Sequence, residues 1–393
     1  MIKLIKSTFY KESETKKELI KFIKLARQLS FGLQCQKFEN SFAEYQERRY
    51  SVFLNSGSSA NLVIIQALLN LGIIKKGDKV GFSAVTWSTN IMPIIQLGLE
   101  SIPIDVELDT LNISSKKLLE CIAKYPIKLL FITNLLGLCD DIDKITRICK
   151  KKKIILIEDN CESLGTTYKG KKLGNFGLAS TFSFYVGHHL STIEGEMVCT
   201  DDKNIAVMSK IVRTHGWDRN LEPADQAKLK KSFKIKSNFY DRYTFYDLGY
   251  NFRPTEMQGF LGNYQLKYID KINKMRNKNF LKLALVLYQQ TNKYYPLHFD
   301  HVDFVSNFAV PLICKTKEIR DGLIKKCKNR VEIRPIVAGD MTKQPFFQKY
   351  YQNYHSLPKC PNTSIIHEQG LYFGNNPELT NHEIKELISI FGS

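Results

Sequence analysis

The sequence predicts an α/β protein with a large domain on a mostly parallel sheet and a smaller C-terminal α+β domain. Between about residues 51 and 200, short apolar runs alternate with segments of helical periodicity, which is typical of βαβ units. After residue 252 this alternation ends, and the 393 residues suit two domains of ordinary size. We expect a large domain with an N-terminal arm over residues 1–252 and the smaller domain over residues 253–393.

The individual elements follow from the apolar runs. Strands of the large domain are predicted at residues 50–54, 80–83, 102–106, 127–133, 154–158, 180–185 and 197–200, with a buried helix at 60–71. The segment 220–243 is polar, rich in lysine and interspersed with aromatic residues, so we interpret it as a loop outside the core. The C-terminal pattern predicts helices at 255–278 and 318–328 and strands at 304–314 and 331–334.

Composition and charge argue against several classes of protein. The 57 basic and 39 acidic residues give a formal net charge of +18, which would suit an anionic partner. The basic residues lie in short, scattered runs, so we do not expect nucleic-acid binding. We see no apolar run of about 18 residues and no long apolar segment at the N-terminus, so neither membrane insertion nor secretion is expected.

The nine cysteines are spread singly from Cys35 to Cys360, with no CxxC pair. This pattern favours neither a disulfide framework nor a zinc or iron–sulfur site. We therefore expect a cytoplasmic protein without a bound metal.

Two polar motifs follow predicted strands. The turn from Asn55 to Ala60 precedes a helix, where small residues let backbone N–H groups approach a phosphate, although the same composition also forms plain helix N-caps. Glu158 and Asp159 close the strand at 154–158, and open α/β sheets place ligands at the carboxyl ends of parallel strands. Asp159 could hold a protonated ring nitrogen there, or it could simply cap the next segment.

Two adjacent histidines, His188 and His189, follow the strand at 180–185. Their side chains point in different directions on any regular element, so we do not expect them to bind one metal together. A loop histidine is most often structural, but imidazole can also take up and release protons near neutral pH.

Several motifs together resemble a known family. In chain order they are residues 55–61, Trp87 after residues 83–86, residues 158–163, residues 183–189 and residues 249–251. The series is similar to that of the DegT/DnrJ/EryC1/StrS nucleotide-sugar enzymes, which have the aspartate aminotransferase-like fold type I of pyridoxal-phosphate enzymes. In that family a lysine that forms a Schiff base with the cofactor ends the Ser-Phe-Tyr loop, whereas this sequence has His188 there.

Histidine in place of lysine, together with segments 213–220 and 334–340, resembles the vitamin B6-dependent sugar 3-dehydratases of that family. The resemblance implies a noncovalently held cofactor, pyridoxamine phosphate or pyridoxal phosphate, with His188 as the catalytic base and acid. The reaction would remove the C-3 hydroxyl of a nucleotide-linked 4-keto-6-deoxyhexose, with GDP as the expected nucleotide. L-glutamate would restore the amine form and ammonia would be released, in deoxysugar synthesis for surface polysaccharide.

The resemblance also implies roles for individual residues. The positions that match cofactor contacts are Gly57, Ser58 and Ser183 for the phosphate, Trp87 for stacking on the ring, Asp159 for the ring nitrogen and Glu162 beside the ring hydroxyl. Asn251 matches a residue donated by the neighbouring subunit, which implies a homodimer with shared active sites. Our candidates for substrate binding are His215, Arg219 and Arg334, although each could instead serve a structural role such as an ion pair.

Two other functions stay open on the sequence alone. A 4-aminotransferase of the perosamine-synthase kind would keep the family's usual reaction, but His188 argues against it. A noncatalytic cofactor- or sugar-binding protein is supported by Glu196, which stands where the family usually has a second glycine after Glu194. A related branch carries cysteines for an iron–sulfur cluster, and residues 213–243 contain none, so no cluster is expected.

Overall fold

The computed structural model describes residues 1–237, 239–351 and 356–392. Its α-helices are α1 (Glu12–Leu25), α2 (Leu33–Gln46), α3 (Gly57–Asn70), α4 (Met92–Gln96), α5 (Ser115–Ile122), α6 (Ile142–Lys152), α7 (Lys203–Arg213), α8 (Pro223–Ser232), α9 (Glu256–Leu266), α10 (Ile269–Leu287), α11 (Lys317–Cys327), α12 (Pro345–Tyr350), α13 (Pro361–Gln369) and α14 (Asn381–Gly392). Its strands are β1 (Tyr50–Leu54), β2 (Lys79–Ser83), β3 (Glu100–Ile104), β4 (Leu129–Thr133), β5 (Ile155–Asp159), β6 (Thr167–Tyr168), β7 (Lys171–Lys172), β8 (Ala179–Ser183), β9 (Glu196–Thr200), β10 (Tyr294–Tyr295), β11 (Ala309–Cys314), β12 (Ile333–Arg334) and β13 (Gly370–Gly374).

The large sheet has seven strands in the order β1-β9-β8-β5-β4-β2-β3. β9 is antiparallel to both of its neighbours, and the pairs from β8 to β3 are all parallel. Alternate residues of β4 enter different apolar clusters: Leu129 and Phe131 pack with α3, and Leu130 and Ile132 pack with α6. Both faces are therefore covered, which explains why these strands are apolar along their whole length.

The register of the parallel strands brings polar residues together at one edge of the sheet. Asp159, the last residue of β5, lies opposite Thr133 of β4 and Thr181 of β8. Because the carboxyl ends of parallel strands meet at the same edge, side chains from β2, β4, β5 and β8 can converge there.

A second, antiparallel sheet of four strands has the order β10-β11-β13-β12. It is formed by residues beyond 290, and α9 and α10 connect it to the large sheet. Ile2 of the N-terminal arm forms a bridge with Val331, so the arm lies against this second sheet. The domain boundary at residue 252 stays a prediction.

The predicted fold class is confirmed, and each of the seven strands predicted in the large sheet is present with ends that differ by at most two residues. Three predictions were wrong in detail. The strand predicted at 304–314 begins only at Ala309, as β11. The stretch 255–278 is not one helix, because it is divided between α9 and α10. The expected loop at 220–243 contains α8, none of whose residues is buried.

Within the described residues, no helix combines the length and apolar character needed to cross a membrane.

Candidate active site

A cavity of about 530 Å³ opens at the edge of the large sheet where the parallel strands end. This volume is in the range of small-molecule sites. The cavity is lined by the start of α3, the ends of β4, β5 and β8, the N-terminal arm and the second sheet, with contributions from Leu4, Ser58, Thr133, Asp159, His188, Phe308, Arg334 and Tyr372.

Asp159 is fixed in one orientation in the cavity. One carboxylate oxygen accepts hydrogen bonds from the side-chain amides of Asn61, at 3.2 Å, and Asn90, at 2.7 Å. The other oxygen accepts the backbone N–H of Cys161 at 2.9 Å. The Thr181 hydroxyl donates to the Asn61 amide oxygen, which turns the amide nitrogen of Asn61 towards Asp159. A buried carboxylate held in this way suits a cationic partner such as a protonated ring nitrogen.

The first turn of α3 forms one side of the cavity and suits an anion, so we call it the anion-binding side. Ser56, Gly57 and Ser58 line it there, and the leading N–H groups of a helix favour negative groups because they have no partners within the helix. A Cβ atom on Gly57 would lie 3.3 Å from the Ser183 hydroxyl oxygen, so glycine leaves space between the helix and that hydroxyl. These donors suit a phosphate group.

The residues present fit pyridoxal phosphate. The first turn of α3 and Ser183 would hold the phosphate, and Asp159 would hold the ring nitrogen. Trp87 lines the cavity with its side chain 54% exposed, so it offers free aromatic surface to a planar ring. None of the described residues that line the cavity is a lysine, so the cofactor would be held without a covalent link.

His188 reaches into the cavity from the turn after β8. Its backbone N–H donates to the Tyr185 carbonyl at 2.9 Å, and Arg276 donates to the His188 carbonyl at 3.1 Å. The imidazole packs edge-on against Phe308, with ring centroids 5.4 Å apart. Burial lowers the pKa of His188 to about 4, although the charge of Asp159 acts in the opposite direction. The ring is therefore neutral at pH 7 and able to accept a proton.

His189 has a different environment. It is 3% exposed, and its Nε2 lies 3.1 Å from the Ser306 carbonyl oxygen. Because a carbonyl only accepts, Nε2 carries the proton in this hydrogen bond. His189 is not among the described residues around the 530 Å³ cavity. This geometry favours His188 as the proton carrier and gives His189 a packing role.

Glu162 adds a second titratable group to the cavity wall. The backbone N–H of Leu136 donates to its carboxyl at 2.9 Å. Burial raises the pKa of Glu162 to about 8, and the charge of Asp159 adds to the effect. At neutral pH the carboxyl is therefore mostly protonated and can donate a hydrogen bond to a ligand oxygen.

Three of the predicted site residues lie away from the cavity of their own chain. Asn251 and His215 are exposed, and Asn251 forms a backbone bridge with Thr214. Arg219 is also exposed and lies over the ring of Trp217, 4.9 Å from its centroid. Their predicted roles stay predictions.

The other predicted site residues all line the cavity, namely Gly57, Ser58, Trp87, Asp159, Glu162, Ser183, His188 and Arg334. The site residues predicted from the sequence do not include the two asparagines that hold Asp159. Asn61 lies four residues after Gly57 on α3, and residues at this spacing share a helix face, so a signal was available. Nothing in the local sequence distinguishes Asn90.

No cluster of three or more metal-ligating side chains was found in the described ranges, which omit residues 238, 352–355 and 393.

Comparison with known proteins gives a consistent result. A model of the DegT/DnrJ/EryC1/StrS aminotransferase family matches residues 10–391. The GDP-4-keto-6-deoxy-D-mannose 3-dehydratase of Yersinia pseudotuberculosis is 35% identical over 367 residues, covering 92% of this chain and 91% of that protein.

Two solved structures of GDP-4-keto-6-deoxymannose-3-dehydratase also match. One contains a trapped PLP-glutamate geminal diamine and superimposes with a TM-score of 0.89 at 31% identity, covering 100% of both chains. The other is a mutant with bound GDP-perosamine, with a TM-score of 0.88 at 31% identity and the same coverage.

Proposed function

The chain belongs to the DegT/DnrJ/EryC1/StrS aminotransferase family, and from that premise we propose that it is a vitamin B6-dependent 3-dehydratase of GDP-4-keto-6-deoxymannose. The observation that carries the proposal is that His188 is the imidazole in a cavity whose described lining includes no lysine. The full-length similarity to two structures of GDP-4-keto-6-deoxymannose-3-dehydratase supports the choice of substrate.

Four groups would hold the cofactor: the first turn of α3 and Ser183 at the phosphate, Asp159 at the ring nitrogen and Trp87 on the ring face. When bound, pyridoxamine phosphate supplies an amino group and an electron sink. Glu162, protonated at neutral pH, can donate to an oxygen on the ring.

His188 is placed to act first as a base and then as an acid. Because its pKa is lowered to about 4, the ring enters the reaction neutral. A neutral imidazole has a free nitrogen lone pair that can accept the proton, although the lowered pKa makes it a weaker base than a free imidazole. Asp159 then stabilises the charged ring electrostatically, and the same proton can be returned to the hydroxyl that leaves C-3 as water. A group with such a low pKa gives its proton back readily, which suits the second step.

The overall reaction balances with L-glutamate as the reductant. The C-3 carbon gains two electrons and loses its hydroxyl as water. Glutamate is oxidised to 2-oxoglutarate, its nitrogen is released as ammonia and one water is consumed. The PLP-glutamate adduct in a related structure supports glutamate as the co-substrate.

A homodimer with shared active sites is part of the proposal. Three of the predicted site residues lie outside the cavity of their own chain: Asn251, His215 and Arg219. A residue that completes the active site of a partner subunit must lie outside its own cavity. Arg219 lies over the ring of Trp217, which packs against Tyr243 and Phe245, and these two residues are 71% and 57% exposed. Exposed apolar patches of this kind favour a protein interface.

The test is to incubate the purified protein with GDP-4-keto-6-deoxymannose, pyridoxal phosphate and L-glutamate, and to measure product mass and ammonia together. We expect a sugar lighter by one oxygen atom and an equal amount of ammonia. A product in which an amine replaces the C-4 carbonyl, with no free ammonia, would identify a 4-aminotransferase instead. Unchanged substrate with GDP- and other nucleotide-linked sugars would favour a binding protein. A cytoplasmic location stays a prediction.

A further inference from the structure

Glu196 is a buried acid that the proposed reaction does not use. It is the first residue of β9 and lies opposite Leu54 and Ser183 in the register of the sheet. Its strand conformation accepts any side chain, whereas Gly195 has a φ of +152° and a Cβ there would collide with Thr192 Oγ1. Position 196 therefore holds glutamate without backbone strain, and the side chain is completely buried.

The carboxyl of Glu196 lies directly behind the anion-binding side of the cavity. Its Oε1 accepts the Cys161 thiol at 3.1 Å, and its Oε2 has no hydrogen-bond partner in the part of the chain that the structure describes. A Cβ atom on Gly57 would lie 3.5 Å from this Oε2 and 3.3 Å from the Ser183 hydroxyl oxygen. The free carboxyl oxygen is thus a close neighbour of two groups that would contact a phosphate.

The charges that face Glu196 do not include a cationic side chain among the described residues. Asp159 approaches from the end of β5, and Cys161 approaches from the loop that follows it. Two contributions favour the ionised carboxylate: the hydrogen bond from the Cys161 thiol, and α3, through the Ala60 backbone N–H and the positive end of the helix dipole. A cofactor phosphate would use the same end of this helix.

We infer that Glu196 couples cofactor binding to a proton: it is the neutral acid when the cofactor phosphate is bound, and loss of its proton weakens binding. The inference rests on the proposed function, because it needs a phosphate at the start of α3. An ionised carboxylate beside a phosphate in a buried site would be strongly repelled, and both would compete for one helix dipole.

The electrostatics of the unbound site also favour the protonated form of Glu196. Burial raises the pKa of Glu196 well above its usual range, and the charge of Asp159 adds to the increase. A phosphate anion would raise the pKa further, so binding favours proton uptake. By linkage, the affinity for the cofactor must then fall as the pH rises through the pKa of the unbound enzyme.

The experiment compares the full-length protein with Glu196→Gln, which keeps an oxygen for the Cys161 thiol but cannot ionise. The dissociation constant of pyridoxal phosphate is measured from the quenching of tryptophan fluorescence at pH 6 to 9, without substrate. Titration of the phosphate itself affects both proteins equally, so it cancels in the ratio of their dissociation constants. We expect the dissociation constant of wild type divided by that of Glu196→Gln to rise by about tenfold from pH 6 to 9.

Two controls separate the possible outcomes. Glu194→Gln removes an exposed carboxyl that lines the cavity. The dissociation constant of wild type divided by that of Glu194→Gln should change by less than about twofold over the same pH range, because solvent screens the charge of Glu194. Glu196→Gly should give the same trend as Glu196→Gln. A ratio for Glu196→Gln that stays flat with pH overturns the inference while leaving the proposed function intact. If neither protein binds pyridoxal phosphate, both proposals fail.

Discussion

The buried carboxyl groups on the two sides of the β5 end differ in how fully they are hydrogen-bonded. On the side away from the cavity, the Glu158 carboxylate accepts three backbone N–H groups, from Gly174 at 2.8 Å, Phe176 at 2.7 Å and Gly177 at 2.6 Å. The Asn134 side-chain amide adds a fourth donor at 3.1 Å. This carboxylate ties the β7–β8 connection to β5, and its bonds are local to the fold.

On the cavity side the acids have fewer partners. Glu162 accepts one backbone N–H, from Leu136, and Glu196 Oε2 has no partner within the described residues. Asp159 is the exception, since three donors orient it. The carboxylate on the side of β5 away from the cavity has its hydrogen-bonding positions filled, so it should stabilise the fold. The carboxyl groups at the cavity keep unused hydrogen-bonding positions that a ligand can fill, which lowers the stability of the unbound protein.

The largest expected effect is on turnover, from His188→Asn at the cavity. General acid–base groups contribute about 10²- to 10⁴-fold to rates, so we expect turnover to fall by about 10³-fold. Stability should change little, because His188 Nδ1 has no hydrogen-bond partner that the structure describes. Turnover is followed by ammonia release, and stability by thermal unfolding of the cofactor-free protein.

His189→Asn is the matched control for this substitution. It removes the hydrogen bond to the Ser306 carbonyl and should cost about 1 kcal/mol of stability, while turnover stays within about tenfold. If His189→Asn abolished turnover and His188→Asn did not, the assignment of the two histidines would be reversed.

The second prediction concerns the saturated side. Glu158→Gln places an amide NH2 among N–H donors, so at least one donor loses its acceptor. We expect a loss of about 2 kcal/mol in the free energy of unfolding, measured by urea titration of the cofactor-free protein. Cofactor affinity in the folded protein should stay within about threefold. An unchanged stability would mean that these four hydrogen bonds are not what holds the β7–β8 connection.

The corresponding substitution at Glu162, Glu162→Gln, should have the opposite effect on stability. With its pKa raised to about 8 from an ordinary 4.5, the folded protein retains a proton that the unfolded chain releases. Stability is therefore lost as the pH rises from about 5 to 8, and Glu162→Gln removes that loss. Relative to wild type, we expect the variant to gain about 3 kcal/mol between these pH values. A difference that does not change with pH would show that Glu162 is ionised in the folded protein throughout.

The sequence predicts the large sheet well because each strand is an apolar run between polar turns. The division of α9 from α10 was not predictable in this way, since residues 265–270 contain neither proline nor glycine. At the division, the ring of Tyr268 packs on Tyr10 at 5.6 Å and its hydroxyl donates to Glu14 at 3.2 Å. A contact between such distant parts of the chain leaves no trace in local periodicity.

The same limits apply to α8 and to the site. α8 buries none of its residues, so it has no apolar periodicity, and only Pro223 in its first turn marks it. The positions of Asp159 and His188 could be predicted because Asp159 ends a strand, and His188 follows a strand, whose carboxyl end meets the others. The proton on Glu162 and the contact of Asn90 with Asp159 depend on burial and register, which become visible only in three dimensions.

The smallest expected effect is at the cavity mouth, where Arg334 is exposed and forms an ion pair with Glu332. An exposed pair contributes little to stability, so Arg334→Gln should leave the unfolding temperature within about 2 °C of wild type. If Arg334 binds the diphosphate of the substrate, KM should rise by about tenfold with kcat nearly unchanged. Arg330→Gln is the matched control, because Arg330 is similarly exposed and paired with Glu386 but does not line the cavity that the structure describes. Equal KM values for the two variants would remove Arg334 from the substrate site, whereas a lower kcat for Arg334→Gln alone would place it in contact with the reacting sugar.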